Sequence, residues 1–285
     1  MKKILPLLIL TPTLANAECT PAPDCASIGY TETYCETKSV KCPFDTSKLF
    51  CVPCDSSYQY TCSGENIIGG VGSSCGGKYA SCECSSTDYI FSNGSCVCDT
   101  SCKVGAIYYS DGSCSSCVDT TKTAVGIVVK DNELIASLDL VLKQWSINNI
   151  NIEELTEPAD ENEAKIDMSG MENTRAIVNY YGVDTNPDTN AAVYCYNYAP
   201  SGMEHTKNQW YLPASGELYT YMGGDKYNIF YSIWNKFGVV VDNAIFSSTE
   251  AAYHYAWALH TTGKISTFGC GKTGTKLVSC FLAIG

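Results

Sequence analysis

Cysteines and histidines are the residues in this 285-residue chain whose types could support chemistry. There are 18 cysteines and three histidines, His205, His254 and His260. No histidine has the spacing to a second ligand that a metal site needs, and a histidine on a strand or loop more often forms hydrogen bonds or lies at the surface. We therefore predict no catalytic residue, no metal site and no cofactor.

Most of the cysteines fall in the first part of the chain. Fifteen of the 18 lie within residues 19–117, and the C-x-x-C pairs at 51–54 and 114–117 have the spacing of zinc knuckles. This part is poor in large aliphatic residues, so its fold needs crosslinks, and each disulfide contributes about 2–4 kcal/mol. Because no histidine precedes His205 and the chain carries an export signal, disulfides are favoured over zinc.

The N-terminus has the pattern of a secretory signal peptide. A basic start with Lys2 and Lys3 is followed by an apolar run at 4–10 and by an A-x-A cleavage site at 15–17. Cleavage would leave residues 18–285, and lipid attachment at Cys19 is a weaker alternative. No later apolar run approaches the roughly 20 residues of a membrane span. We expect a bacterial protein that is secreted or at the cell surface, with the periplasm as an alternative.

The charge of the chain argues against one class of partner. The formal net charge is −12 and Arg175 is the single arginine, whereas nucleic acids require a basic face. Seven carboxylates fall within residues 153–167, opposed by Lys165 alone. We interpret this run as a solvated loop, because it lacks the D-x-D-x-D spacing of a calcium loop.

Composition divides the mature chain into a cysteine-rich module at 18–118 and a second module at 119–285. The first contains a weak repeat, 88–96 and 106–114, in which an apolar-aromatic run precedes an Asn-Gly or Asp-Gly turn and Ser-Cys; this pattern predicts hairpins.

In the second module, apolar periodicity predicts a hairpin of 124–129 with 134–138, and Leu212-Pro213 predicts a helix start. Further helices are predicted at 173–182, 189–198 and 226–237, and further strands at 239–241, 245–248, 256–260, 265–268 and 277–284.

Residues 122–285 resemble a known family. The motifs W-Y-L-P-A-x-G-E-L at 210–218 and S-S-T-E at 247–250, with Ala256-Trp257, are similar to those of the bacterial C-type-lectin-like domain of the major paralogous type. The resemblance implies an α+β fold in which two to three helices flank short antiparallel strands. It also implies pairing of the first and last strands and a disulfide between Cys195 and Cys280.

The chain departs from the sugar-binding members of that fold. Their calcium motifs are missing, and Asn186-Pro187-Asp188 precedes a predicted helix and is interpreted as a turn and N-cap. An enzymatic relative, the formylglycine-generating type, uses a cysteine pair that Cys270 and Cys280 could imitate. We expect no enzyme, because Cys280 is better placed in the implied bridge.

Residues 251–275 have the composition of a binding surface, with Tyr for contact area and Ser, Thr and Gly around it. A tolerant surface without a ligand is an equal alternative. The resemblance adds a hypothesis that a mutagenic retroelement diversifies this segment, with Trp257, Lys264 and Lys272 as framework. The predicted ligand-binding residues are Ala251, Ala252, Tyr253, His254, Tyr255, His260, Thr267, Phe268, Gly271, Thr273 and Gly274.

Two functions follow from these observations. The leading hypothesis is a secreted or surface-displayed adhesion protein whose head binds a surface protein or a glycan. The alternative is a structural envelope or matrix component. With Cys195 paired to Cys280, Cys270 either bridges to the cysteine-rich module, stays free or forms an intermolecular disulfide.

Overall fold

The structure is a computed structural model. It describes residues 95–284 continuously, preceded by residues 19–20, 33–35, 50–51, 67–69, 83–84, 86 and 88–92. The predicted signal peptide lies outside the described residues, and so does Cys54 of the first C-x-x-C pair. The chain divides into two compact units, Met1–Cys98 and Asp99–Gly285.

Described segments of the first unit are short strands in small sheets. A three-stranded sheet and two two-stranded sheets are formed, and the pair β6 and β7 is the hairpin predicted from the first copy of the repeat. The strands are β1 (Cys19–Thr20), β2 (Thr33–Cys35), β3 (Phe50–Cys51), β4 (Ile67–Gly69), β5 (Glu83–Cys84), β6 (Tyr89–Ser92) and β7 (Ser95–Cys98).

The second unit contains ten strands in two five-stranded sheets. The sheet orders are β17-β11-β10-β8-β9 and β12-β16-β13-β14-β15. The strands are β8 (Ile107–Tyr109), β9 (Cys114–Ser115), β10 (Ala124–Lys130), β11 (Leu134–Ser137), β12 (Val141–Gln144), β13 (Ile245–Ala252), β14 (Tyr255–Leu259), β15 (Ile265–Ser266), β16 (Thr275–Val278) and β17 (Phe281–Ala283).

The second unit begins earlier than the composition boundary at residue 119. Strands β8 and β9 form the second predicted hairpin, and β8 pairs antiparallel with β10 through Ile107 and Ile127. Ile107 and Tyr109 are buried with the core of this unit. Residues 99–118 therefore fold with the second unit although their composition matches the first.

Five α-helices of this unit lie between β12 and β13, two strands of the same sheet. They are α1 (Glu161–Ala164), α2 (Gly170–Tyr181), α3 (Ala191–Asn197), α4 (Ser215–Met222) and α5 (Tyr227–Lys236). The predictions of α2, α3 and α5 are confirmed: Gly182 ends α2 at a φ of 92°, and the Asn190 side chain caps α3 by accepting from Val193 N–H. The acidic run at 153–167, predicted as a loop, contains the four-residue α1, which Asp160 caps.

Helix α4 begins two residues after the proline that was predicted to open it. Pro213 precedes the N-cap residue, Ala214, and the first helical residue is Ser215. Glu217 lies in the first turn as predicted and accepts from the Ala214 N–H at 2.8 Å, which is one half of a capping box.

The predicted strands in the closing segment are partly wrong. The predicted strand at 239–241 is irregular, and the predicted strand at 277–284 is two strands, β16 and β17, that belong to different sheets. The chain changes sheet at Ser279-Cys280, where Cys280 N–H donates to the Ser137 Oγ and Ser137 N–H donates to the Cys280 carbonyl. The second unit is thus a mixed α+β fold in which the final strand β17 pairs with β11.

Candidate functional site

The turn between β13 and β14 presents aromatic side chains to solvent. Tyr253 is 52% exposed, Tyr255 is 46% exposed, and His254 between them is also exposed. The His254 ring packs edge-on against Tyr253, with 4.8 Å between centroids, and lies 6.3 Å from Tyr255. Phe268, in the loop after β15, is 85% exposed. We call Tyr253, His254, Tyr255 and Phe268 the aromatic face.

Backbone hydrogen bonds join the two loops that carry the aromatic face. Tyr255 forms an antiparallel bridge with Gly271, and Lys272 N–H donates to the His254 carbonyl at 2.9 Å. Phe268 N–H donates to the Ser266 Oγ at 3.0 Å, which holds the start of the second loop. The loop that carries Phe268 therefore leads directly into the segment bonded to the β13–β14 turn.

The other predicted ligand residues are distributed around these loops. Ala251 and Ala252 end β13 and are half-buried, as are Thr267 and Gly271, whereas Thr273 and Gly274 are exposed in the turn before β16. His260 follows the opposite end of β14 and is half-buried; its ring faces Cys270 rather than solvent alone. The structure therefore brings most of the predicted residues together and sets His260 apart.

A buried ion pair anchors the second loop, the segment between β15 and β16 that carries Phe268. Lys272 and Glu250 contact each other and both side chains are fully buried. Lys272 Nζ also donates to the Ile150 carbonyl at 2.5 Å and lies 4.9 Å from the centre of the Trp145 ring. The second oxygen of Glu250 accepts from Ile152 N–H at 3.1 Å. Both charges are thus hydrogen-bonded, which is the condition under which charges can be buried.

Burial and pairing act on this pair in opposite directions. Burial raises the pKa of Glu250 and lowers the pKa of Lys272, while the contact between the two groups opposes both shifts. The pair connects β13 to the second loop, and the Lys272 carbonyl accepts from Ser146 N–H at 3.1 Å. The loop beside the aromatic face is therefore fastened to the interior by its one buried cation.

The S-S-T-E motif supplies this anchor and four further hydrogen bonds. Ser247 accepts the Trp145 Nε1–H at its carbonyl, 2.9 Å, and donates its hydroxyl to the Trp257 carbonyl at 2.7 Å. Thr249 donates its hydroxyl to Asp167 at 2.6 Å and accepts from Ser215 N–H at 2.8 Å. All four residues of the motif are buried, so their polar groups stabilise the interior and are not accessible to a ligand.

The W-Y-L-P-A-x-G-E-L motif is bonded to S-S-T-E. Ser248 N–H donates to the Pro213 carbonyl at 2.8 Å. Glu217, 7% exposed, accepts from the Tyr211 hydroxyl at 2.9 Å as well as from Ala214 N–H. Burial raises the pKa of Glu217 to about 7, against the effect of these hydrogen bonds. The two motifs therefore form one polar layer inside the second unit.

Cys270 and His260 do not form an ionised pair. Their Sγ and Nε2 atoms are 3.7 Å apart. Burial raises the pKa of the Cys270 thiol to about 11 and lowers the pKa of His260. An activated thiolate beside a protonated histidine requires the opposite shifts. Cys270 is a buried free thiol.

The disulfides between described residues include Cys84–Cys96, Cys102–Cys114 and Cys195–Cys280. Cys195 in α3 is bonded to Cys280, the pair that the resemblance implies. Cys84–Cys96 and Cys102–Cys114 each span 12 residues, so the two copies of the hairpin repeat carry disulfides of the same spacing. Cys117 is also disulfide-bonded, which makes the C-x-x-C at 114–117 a pair of disulfide cysteines and not a zinc site. Such disulfides fit an extracellular or surface location, because they persist in oxidising compartments.

The described part of the chain contains no group of three or more His, Cys, Asp and Glu side chains that could hold a metal ion. Within the same residues, no helix has the length and apolarity to cross a membrane.

The buried pair is what sequence reasoning missed. Lys272 was predicted as framework and Glu250 as part of a fold motif, but neither was linked to the other or to Trp145. The sequence offered one signal, the position of Lys272 among the small residues Gly271, Thr273 and Gly274.

Comparisons with known proteins give little to place beside this geometry. No protein-family model matches the chain, and no curated protein matches it. A solved structure of a fimbrial protein from Bacteroides ovatus ATCC 8483, determined at 1.85 Å resolution, is similar with 17% sequence identity and a TM-score of 0.45. The similarity covers 64% of this chain and 48% of the fimbrial protein, so the match spans about half of that protein's length.

Proposed function

We propose that the chain is a secreted or surface-displayed adhesion protein in which a C-type-lectin-like head binds a surface protein or a glycan through the aromatic face. The observation that carries the proposal is the arrangement of Tyr253, Tyr255 and Phe268 on two mutually bonded loops above a buried ion pair. Exposed aromatic side chains on rigid supports are the residues that most often dominate binding energy.

The fold assignment within this proposal has its own support. The closing strand β17 pairs with β11, helices α2 and α3 contact each other, and Cys195–Cys280 fastens α3 beside the closing strand. The disulfide agrees with what the resemblance implies. The implied pairing of the first and last strands is not formed, because β17 pairs with β11 and neither β8 nor β10 is next to it. The proposal assigns the chain no enzymatic role, since Cys280 is used in a disulfide and is not available to Cys270.

Diversification of the aromatic face is a further part of the proposal. Tyr253, His254 and Tyr255 are exposed. Of the three residues predicted as framework, Trp257 and Lys272 are buried and Lys264 is exposed. This distribution would let the exposed positions vary without disturbing the core. The test is the genomic neighbourhood: we expect a reverse-transcriptase gene and a template copy nearby, and their absence would contradict diversification.

Binding by the mature chain to a glycan array and to a panel of bacterial surface proteins tests the proposal. We expect at least one ligand, with affinity reduced at least tenfold by Tyr253→Ser, Tyr255→Ser or Phe268→Ser. Tyr180→Ser is the matched control, because Tyr180 is 49% exposed on α2. No bound ligand, or binding unchanged by all three variants, would contradict the aromatic face.

The structural alternative predicts a different result in cells. If the chain is an envelope or matrix component, a chain carrying all three serine substitutions keeps its role in the envelope. Adhesion that is lost while the protein still reaches the surface favours the binding function.

A further inference from the structure

A polar cleft lies at the other end of β14 from the aromatic face. Its volume is about 620 Å³, and it is bordered by α1, by the junction of α4 and α5, and by the turn after β14. Small-molecule sites have volumes of roughly 300–1,000 Å³. The β13–β14 turn precedes Tyr255 at the start of β14, whereas the cleft uses residues that follow Leu259 at its end.

Two glycines bring the opposite borders of the cleft into contact. Gly224 N–H donates to the Gly263 carbonyl at 2.9 Å. A Cβ atom on Gly263 would lie 2.8 Å from the Gly224 carbonyl oxygen, and its φ of +74° disfavours other residues. The residues that follow these glycines, Asp225 and Lys264, both line the cleft.

Asp225 and Lys264 are opposite charges that do not pair. Both are exposed, both line the cleft, and neither forms an ion pair within the part of the chain that the structure describes. The second opposite pair in the cleft behaves differently: Lys165 contacts Glu161 at 2.7 Å and lies over the Tyr219 ring. The cleft is thus lined by one ion pair, Lys165 with Glu161, and by two opposite charges that form no ion pair among the described residues, Asp225 and Lys264. We call these last two the open groups.

The balance of charges selects the class of ligand. With two carboxylates and two ammonium groups, the lining has no net charge that would attract a simple anion or cation. A ligand that uses both open groups must carry an ammonium and a carboxylate. Its remaining atoms would meet the Tyr219 and Tyr227 rings and the polar side chains of Asn228 and Thr262.

We propose that this cleft binds a free α-amino acid. The ligand's ammonium donates to the Asp225 carboxylate and its carboxylate accepts from the Lys264 ammonium, which gives two charge-assisted contacts. Its side chain extends along the tyrosines towards the hydroxyl and amide groups. This site is independent of the aromatic face and does not rest on the function proposed above.

The test is thermal unfolding of the mature chain, followed by tryptophan fluorescence, with each of the twenty free L-amino acids. All four tryptophans, Trp145, Trp210, Trp234 and Trp257, lie in the second unit, so the signal reports this unit. At about ten times the dissociation constant, the binding amino acid should raise the unfolding midpoint by about 3 °C. Its N-acetyl derivative and its α-amide, which each lack one charge, should give no shift.

Variants of the two charges decide the assignment. Asp225→Asn and Lys264→Met should each weaken binding at least tenfold without changing the midpoint of the free protein, because both side chains are exposed. Asp242→Asn and Lys207→Met are the matched controls at exposed positions elsewhere and should leave the shift intact. The proposal is overturned if no amino acid raises the midpoint, or if the shift persists in both cleft variants.

Discussion

Removal of one member of the buried pair should destabilise the second unit strongly. Lys272→Met leaves Glu250 as a buried carboxylate with one remaining donor, Ile152 N–H. Truncating one partner of a buried ion pair costs about 3–5 kcal/mol, because the other charge is left uncompensated. Glu250→Gln should cost a similar amount, since Lys272 loses its counter-charge and the single amide oxygen cannot accept from both Lys272 and Ile152 N–H.

The double variant separates pairing from packing. In Lys272→Met with Glu250→Gln no buried charge remains, and the glutamine can still accept from Ile152 N–H. The Ile150 carbonyl loses its donor, which costs about 1–3 kcal/mol. The double variant should therefore be more stable than either single variant, with an interaction energy of about 3 kcal/mol or more.

Urea unfolding followed by tryptophan fluorescence, with the disulfides intact, measures these differences at constant m-value. The control is Lys165→Met at the partly exposed pair with Glu161, where we expect a loss of less than about 1 kcal/mol. Amide exchange at Lys272, whose N–H is bonded to the His254 carbonyl, should accelerate in the single variants. A loss below about 1 kcal/mol for Lys272→Met, or additive losses in the double variant, would refute the reasoning.

Three further predictions concern other buried groups. Because the pKa of Glu217 is raised to about 7 from 4.5, the folded state holds the proton between these values; the stability this gives is complete below pH 4.5 and is lost as pH rises through about 7. Relative to Glu217→Gln, the wild-type unfolding free energy should therefore fall by about 3 kcal/mol from pH 4.5 to pH 8, and a flat difference would contradict it. Replacing Cys195 and Cys280 by alanine opens a crosslink that spans 85 residues and should lower the unfolding free energy by about 4 kcal/mol, whereas a loss under 1 kcal/mol would argue against its role. The peptide that contains Cys270 should stay unlabelled by iodoacetamide at pH 8 in the native protein and become labelled in urea, because burial keeps its thiol protonated; native labelling would show that the thiol is accessible.

Local sequence pattern was sufficient for several elements of the second unit. Helices α2, α3 and α5 and the β10–β11 hairpin were predicted because apolar periodicity and end signals such as Gly182 act within a few residues. The prediction of one long final strand was wrong. Apolar residues occur on both sides of the point where the chain changes sheet, from Leu277 to Ile284, so the sequence pattern does not mark that point. Only the hydrogen bonds of Cys280 with Ser137 show that the chain passes from one sheet to the other there.

Composition and spacing by themselves determined the crosslinked character of the first part of the chain, the hairpin repeat and the segment that carries the aromatic face. The tertiary structure decided which polar residues belong to the interior. Glu250 and Lys272 are 22 residues apart and meet Trp145 only when three segments pack together, so no local pattern could predict that these charges are buried. Asp225 and Lys264 likewise line one cleft only because the fold brings Gly224 into contact with Gly263, and such a contact depends on chain topology and not on spacing along the sequence.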